Sequence, residues 1–580
     1  MNSETGGMTV WPLIALSILA GLAGAGCRAI EWKGADAPPP VPDEIRMEAT
    51  RANDDPGGRP LPLACSWTCG HYAAESSAGW RPEHQMQLIE EGHYLLPWFA
   101  HMGGAVPADT NSFLFKYYKG AIEKAREMNL PIVFVGSQWE SGLSGKPYID
   151  LPPDENPNVV TTNGAVIGKV CPFSPIAPWR EIGQKQTDNP WMKQLQQWYP
   201  NPPRVIFLSN NEHGKLRWRE VETSKRYVEK YGLGRDDDFK RNVVADGWIK
   251  RYRALQDGVR QGLVNDNWKK NSIYVGYDAF GLPHLGRWGG IDPADGKTSG
   301  GWSVYSLYSQ GRIDPAPLMW DGGSPSYYTD DWNGRTDHTM WSPQVEFMNL
   351  VFMQKEAFTL NPRFWLEFSV WDGYHTDPER QKRYPSKRSV YRQAGQTYNP
   401  DRYGGYVQFG MWLLRPRAVR DFRGWTEPWD DQTDKDGHLT HEGGGPYFMA
   451  IVKSVDRVHT NPVLRQWWRK GELVPNRSHP HPYQAGIPVE YQQADRWFLL
   501  DTTLDPARPW TLATDLPVFS LALVQGKAPA RQWLVYAHSP LADRKAVGVT
   551  IPDYKQITID VPVAGAFYRV TEETGTVEAL

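Results

Sequence analysis

The chain is poor in cysteine, with four among 580 residues, at positions 27, 65, 69 and 171. That excludes a disulfide framework, and no Cys/His spacing resembles a zinc site. Cys65 and Cys69 are close enough in sequence for a disulfide in an oxidising compartment; free buried thiols are the equal alternative. A dominant charge is also missing: 63 Lys and Arg against 66 Asp and Glu leave a net −3. No global field therefore points to nucleic acid as a partner. The G-x-S-x-G elbow, the H-E-x-x-H pair and the P-loop are absent, which removes the chemistries they serve. Asp430 to Gly437 resembles a calcium loop at first sight. With Gly437 as sixth residue, however, the first is Gln432 and the twelfth Gly443, which breaks the EF-hand pattern. No metal and no cofactor is expected, and there is no internal repeat.

No apolar run is long enough to span a bilayer. The longest, Val10 to Gly26, ends in small residues, and Ala23-Gly24-Ala25 fits a signal-peptidase site. Residues 1–26 read as a secretory leader, although Glu4 is present and no basic segment precedes the apolar stretch. Cys27 after Gly-Ala-Gly resembles a bacterial lipoprotein site. The expectation is an exported protein: periplasmic, anchored to the outer membrane through a lipid at Cys27, or secreted. Residues 27–61, rich in Pro, Gly and charge, read as a tether.

Aromatic residues are what the chain has in plenty, with 27 Trp and 27 Tyr. Flat rings serve cores, and they also serve as platforms for the apolar faces of sugars. From residue 62 to 474, short apolar runs alternate with helical patterns such as Lys116 to Met128, Asp246 to Leu263 and Ser342 to Phe358. This is the mark of repeated βα units. Eight strands are expected: Leu63–Trp67, His93–Trp98, Ile132–Gly136, Val205–Ser209, Ser272–Tyr277, Pro317–Trp320, Phe364–Phe368 and Tyr406–Trp412. Eight strands with intervening helices suit an α/β fold of the (β/α)8 TIM-barrel class. The long stretches after strands three, seven and eight are expected to wall a cleft at the C-terminal end of the strands. Residues 475–580 carry short alternating strands between Gly, Pro and Asp turns, and read as a C-terminal all-β sandwich that binds sugar or braces the barrel.

Two of the apolar runs end on glutamate in polar or aromatic company. One is Val205-Ile206-Phe207-Leu208-Ser209-Asn210-Asn211-Glu212, the other Phe364-Trp365-Leu366-Glu367-Phe368-Ser369-Val370-Trp371. Paired carboxylates at strand ends are the minimal equipment for breaking a glycosidic bond. Asn-Glu on strand four and Glu on strand seven resemble clan A of the retaining glycoside hydrolases. The resemblance covers roughly residues 60 to 470 and rests on strand order. It implies Glu212 as acid/base, Asn211 as a partner for the sugar 2-hydroxyl and Glu367 as nucleophile. It also implies a tyrosine after strand six, Tyr327 or Tyr328, as a hydrogen-bond donor to the nucleophile, and Trp412 as a sugar-stacking ring on strand eight. Near other strand ends, Trp139, Gln138, Asp278, Asp321, His101 and Trp371 are candidates for binding hydroxyls, and Glu140 is the rival carboxylate.

Arg380, Lys382, Arg383, Lys387, Arg388 and Arg392 follow the seventh strand closely. They read as a solvated basic loop or as contacts for an anionic polysaccharide, such as a sulfated algal galactan. The expected function is retaining hydrolysis of a polysaccharide or oligosaccharide. The alternatives are a non-catalytic glycan-binding protein on a barrel scaffold and a polysaccharide lyase. Nucleic acid is not expected as a partner, and a membrane only through Cys27.

Overall fold

The computed structural model of the chain describes residues 61–66, 88–99, 104–137, 139–210, 215–277, 290–291, 298–299, 316–324, 326–328, 365–369, 400–422, 446–476, 500–502, 518–540 and 542–580. The leader, Cys27, nearly all of the tether, Cys69 and the basic segment from Arg380 to Arg392 lie outside the described residues.

The elements that position the site are, in chain order, strands β1 (Leu63–Ser66) and β2 (Trp98–Phe99), helix α1 (Phe113–Glu127), β3 (Ile132–Ser137), α2 (Ala177–Thr187), α3 (Pro190–Trp198) and β4 (Val205–Asn210). They continue with α4 (Asp237–Gly262), β5 (Ser272–Tyr277), β6 (Gly322–Ser324), β7 (Ser326–Tyr328), β8 (Trp365–Ser369), α5 (Pro400–Leu414), β9 (Ala418–Phe422), α6 (Pro446–Thr460) and α7 (Pro462–Lys470). The helices start where their caps dictate. Ser112 accepts from the Phe115 N–H ahead of α1, and Asp236 from the Phe239 N–H ahead of α4. Asp237 and Asp238 in the first turn of α4 meet its positive end.

Every pairing among β1–β9 is parallel. They form two sheets, one ordered β1-β9-β8-β7 and the other β6-β5-β4-β3-β2. Two links join them. The Ala64 N–H donates to the Tyr94 carbonyl at 3.0 Å and the Leu96 N–H to the Ala64 carbonyl at 2.8 Å, tying β1 to the segment that leads into β2. At the other side, β6 and β7 are separated by residue 325 alone, β6 pairing with β5 and β7 with β8. Side chains alternate faces along a strand, and here the two faces differ. Phe99, Phe134, Phe207 and Tyr274 share one register row and belong to a cluster with Tyr118 of α1, Trp248 and Tyr252 of α4, and Trp268. Val133, Ile206, Leu208 and Val275 belong to a separate cluster with Trp98.

Three expected strands are corrected, the first being His93–Trp98, of which only Trp98 falls in the observed strand Trp98–Phe99, with an isolated bridge at Leu95. Tyr406–Trp412, expected as strand eight, lies inside α5, and the strand itself is Ala418–Phe422. The reason is burial. Twelve residues of α5 are buried, because α5 packs beside α6 and is covered by a C-terminal sheet. A helix apolar on all sides loses its 3.6-residue stripe and reads like a strand. The expected sixth strand, Pro317–Trp320, falls largely on a short helix, Ala316–Met319, and the strand follows as β6 and β7. The stretch after strand three, expected as cleft wall, holds the antiparallel pair Asn158–Val160 and Val166–Val170 followed by α2 and α3. Helix α2 meets α4 so closely that a Cβ on Gly258 would stand 1.9 Å from the Arg180 carbonyl oxygen.

Beyond α7 the described structure is all-β. Five antiparallel strands, Glu472–Leu473, Phe519–Gln525, Gln532–His538, Ala566–Thr571 and Val577–Ala579, form one sheet, and Asp501–Thr502, Arg544–Thr550 and Gln556–Val561 form a second. Alternation gives the larger sheet two buried faces. Trp533, Val535 and Val570 pack with the second sheet, through Val549 and Ile559, while Phe519, Leu521, Leu534, Tyr536 and Phe567 pack on α5 and its neighbours. The contact with α5 is close. The Tyr536 hydroxyl donates to the Gly405 carbonyl at 2.8 Å, and a Cβ on Gly405 would stand 2.1 Å from Nδ1 of His538. Among the described residues no helix is long and apolar enough to cross a membrane.

Two outcomes follow from this seam. Gly405→Ala should lower stability by about 1–3 kcal/mol, because the added methyl overpacks the joint; an unchanged melting temperature would refute the close fit. Burial holds His538 neutral and pushes its pKa down to about 3. The unfolded chain takes up that proton below about pH 6.5 and the folded chain does not, so stability is lost as pH falls from 6.5 towards 3. His538→Gln should flatten this acid-side decline, which a series of denaturation curves between pH 7 and pH 4 would reveal.

Candidate active site

The strand register orders the chemistry of the face that carries Val133 and Ile206. Along β3, β4 and β5, the first row is Val133, Ile206 and Ile273, and the second is Val135, Leu208 and Val275, joined by Gly322 of β6. The third is polar: Ser137 stands beside Asn210, and Tyr277 beside Ser324. Residues on this face thus change from aliphatic to polar towards the C-terminal ends of the strands. Ser326 lies two positions after Ser324 and keeps its parity, and its register partner is Glu367. Glu367 in turn pairs with Arg420, and Arg420 with Cys65. On the other side of β1, Ala64 bridges to Leu95, three positions before Trp98, which pairs with Val133. Glu367 of β8 and Asn210 of β4 are therefore on one face of the paired strands.

The expected site residues divide as follows. Asn211, Glu212, Asp278, His101, Gln138 and Trp371 lie outside the described residues. Glu367 is the middle residue of β8, and Trp139 opens the 3-10 turn Trp139–Ser144. The register separates the two tyrosines of β7. Tyr328 pairs with Ser369 and has the parity of Glu367, whereas Tyr327 pairs with Phe368 on the opposite face. Trp412 is corrected. It sits in α5, fully buried, its Nε1–H donating to Gln408 Oε1 at 2.9 Å and its ring set edge-on to Trp468 and Phe567. Held there as core, it has no face to offer a sugar.

Glu140 and Asp321 also take structural places. Glu140, 1% exposed, lies 3.8 Å through Oε1 from the Lys215 ammonium and accepts from the Tyr252 hydroxyl of α4 at 3.1 Å. The Lys215 ammonium stands over the Tyr252 ring, 4.9 Å from its centroid. Burial pushes the Glu140 carboxyl up, against the pull of Lys215 and the Tyr252 hydroxyl. An acid in this setting is held against α4 by its two partners. Asp321 accepts from Arg253 at 3.1 Å, from Arg260 at 2.8 Å and from the Tyr274 N–H at 2.9 Å, so it ties α4 to β5. Both are engaged in the scaffold.

The Glu140–Lys215 pair matters by its place. Lys215 stands three positions after Glu212, and the next residue, Leu216, donates its N–H to the Val170 carbonyl at 3.0 Å. The chain leaving the Asn211-Glu212 segment is thus pinned by a buried ion pair and a backbone bridge. Sequence reasoning missed Lys215, whose only signal was a lone basic residue directly after a Gly. It also missed Arg420, hidden because strand eight was expected upstream.

No protein-family model matches the chain, and no curated protein matches it. Among solved structures the chain is similar to an α-amylase from Geobacillus thermoleovorans complexed with acarbose, at 8% identity over 88% of this chain and 98% of that one, with a TM-score of 0.36. It is also similar to a modular endo-β-1,4-mannanase from Cellulomonas fimi, at 10% identity over 92% and 97% of the two chains, with a TM-score of 0.35. A double mutant of the Cellulomonas fimi endo-β-1,4-mannanase gives 10% identity, the same coverage and a TM-score of 0.32. Likenesses this distant carry no argument for fold or chemistry, which rest on the register above.

Lys215→Met should cost about 3–5 kcal/mol, because it leaves the Glu140 carboxyl buried without its cation. Adding Glu140→Gln should recover most of that loss. Urea unfolding of the single and double variants measures both, and equal midpoints for Lys215→Met and the parent would overturn the assignment.

Proposed function

We propose that the parallel strands form one (β/α)8 barrel and that the protein is a retaining glycoside hydrolase, with Glu212 as acid/base and Glu367 as nucleophile. The observation that carries this reading is the common face of Asn210 and Glu367, in rows that turn polar towards the C-terminal ends of parallel strands. Glu212 lies two positions beyond Asn210 and has its parity in the sequence. That end of a parallel barrel is where enzymes of this architecture keep their reacting groups.

The reaction needs two carboxyls about 5–5.5 Å apart, one protonated and one ionised. A Glu367 oxygen bonds to the anomeric carbon as the glycosidic C–O bond breaks, and the Glu212 proton passes to the leaving oxygen. Glu212 then takes a proton from water, the water oxygen bonds to the anomeric carbon, and Glu367 is released. Asn211 holds the sugar 2-hydroxyl in this reading, and of the two tyrosines Tyr328, which has the parity of Glu367, is the donor to the nucleophile. The basic segment after β8 supports an anionic glycan as substrate, and the leader supports export.

The test is to screen the purified chain against neutral and sulfated algal and plant polysaccharides, following the first-formed product by NMR. Retention of anomeric configuration is expected. Glu367→Ala should lower kcat by roughly 10⁴-fold or more while substrate still binds. Unchanged cleavage by that variant would sink the assignment, and an inverted product would sink the mechanism.

A further inference from the structure

We propose that Arg420 is a positioning residue whose fixed positive charge holds Glu367 ionised and oriented for attack. The inference rests on the nucleophile reading of Glu367 and goes beyond it by naming the group that sets its charge.

Three observations converge on Arg420. It is fully buried, at 0% exposure. It sits on β9 directly in register with Glu367 of β8, and neighbouring strands lie about 4.7–4.9 Å apart. Register partners on parallel strands share a face, so both belong to the face that carries Asn210. On that face the flanking strands bring Leu63 and Cys65 from β1, and Trp365, Glu367 and Ser369 from β8. Glu367 is the one carboxylate among these five.

Among the described residues, three titratable groups near β9 are placed elsewhere. Asp421 has the opposite parity on β9. Helix α6 packs against β1 and β9. Its Asp456 is engaged with the His93 ring at 2.6 Å, and its His459 with the Pro62 carbonyl at 2.7 Å.

The chemistry of the pair follows from general electrostatics. A guanidinium stays charged across the working pH range, and a planar donor fork fits a carboxylate in a single orientation. An opposite charge within about 4–6 Å lowers a carboxyl pKa by about 1–3 units. Aromatic surroundings act in the other direction, and Trp365 lies two positions before Glu367 with the same parity on β8. A nucleophile in that company needs a cation to stay ionised.

The test uses the full chain and the substrate found by the polysaccharide screen. In Arg420→Gln the acidic limb of the kcat/KM profile should move up by about 1–3 pH units, the size of the lost charge effect. Arg420→Lys, which keeps the charge, should hold the limb near its original place while lowering kcat through lost orientation. An acidic limb that stays put in Arg420→Gln would overturn the proposal.

Thermal unfolding gives a second readout that needs no turnover and covers an Arg420→Gln variant too unstable to assay. Glu367→Gln, Arg420→Gln and the double variant should be non-additive, the double losing less melting temperature than the two singles summed. Strictly additive losses would overturn the pairing. If Glu367→Ala still turns substrate over, the nucleophile reading fails by itself. If Glu367→Ala is inactive and the limb is unmoved in Arg420→Gln, only the role of Arg420 fails.

Discussion

Side chains alternate along a β-strand, and parallel neighbours in register share a face; the candidate site depends on these two rules acting together. They carry the identity of a face from β3 through β4 and β5, across the one-residue step between β6 and β7, and on to β8, β9 and β1. One face collects aromatic rings that meet helices, and the other is aliphatic at one end and polar at the other. A slip of one residue in β8 would send Glu367 to the helix side and bring Phe368 in its place. The site is thus fixed by packing far from the reacting groups, in rows where Phe134 stacks on Phe207 and Tyr274 on Trp320.

The helix side supports that register with charges rather than with rings alone. Asp321 ties Arg253 and Arg260 of α4 to the backbone of β5, and Glu140 ties Lys215 to Tyr252. Both acids sit near strand ends and were reasonable candidates for touching substrate. Their burial and their partners assign them to holding the scaffold instead. Carboxylates near strand ends thus serve the scaffold here, marked by burial and by their cationic and hydroxyl partners.

Much of the fold was legible because buried parallel strands leave compact apolar runs. Ile132, Val205 and Ser272 were all expected to open strands and do. Legibility failed where burial erased periodicity, at α5, and where polar residues masked a strand, at β9, whose Arg420 and Asp421 resemble loop chemistry. The pair of glutamates was visible as a pattern, since each ends or centres an apolar run. Arg420 was invisible, because a buried cation leaves no mark in sequence until the strand that carries it is known. The choice between Tyr327 and Tyr328 likewise needed the register, because adjacent residues are equivalent in sequence and opposite in space.

The larger C-terminal sheet covers α5 with one face and the second sheet with the other. During synthesis this imposes an order in time. The apolar rings of α5, complete by residue 414, wait for their cover until the strand ending at residue 571 has been made. At about 5–20 residues per second that interval is roughly 10–30 s. Throughout it a greasy helix is open to water or to a chaperone, so the last strands to be made govern how safely the parallel-strand half reaches its final form.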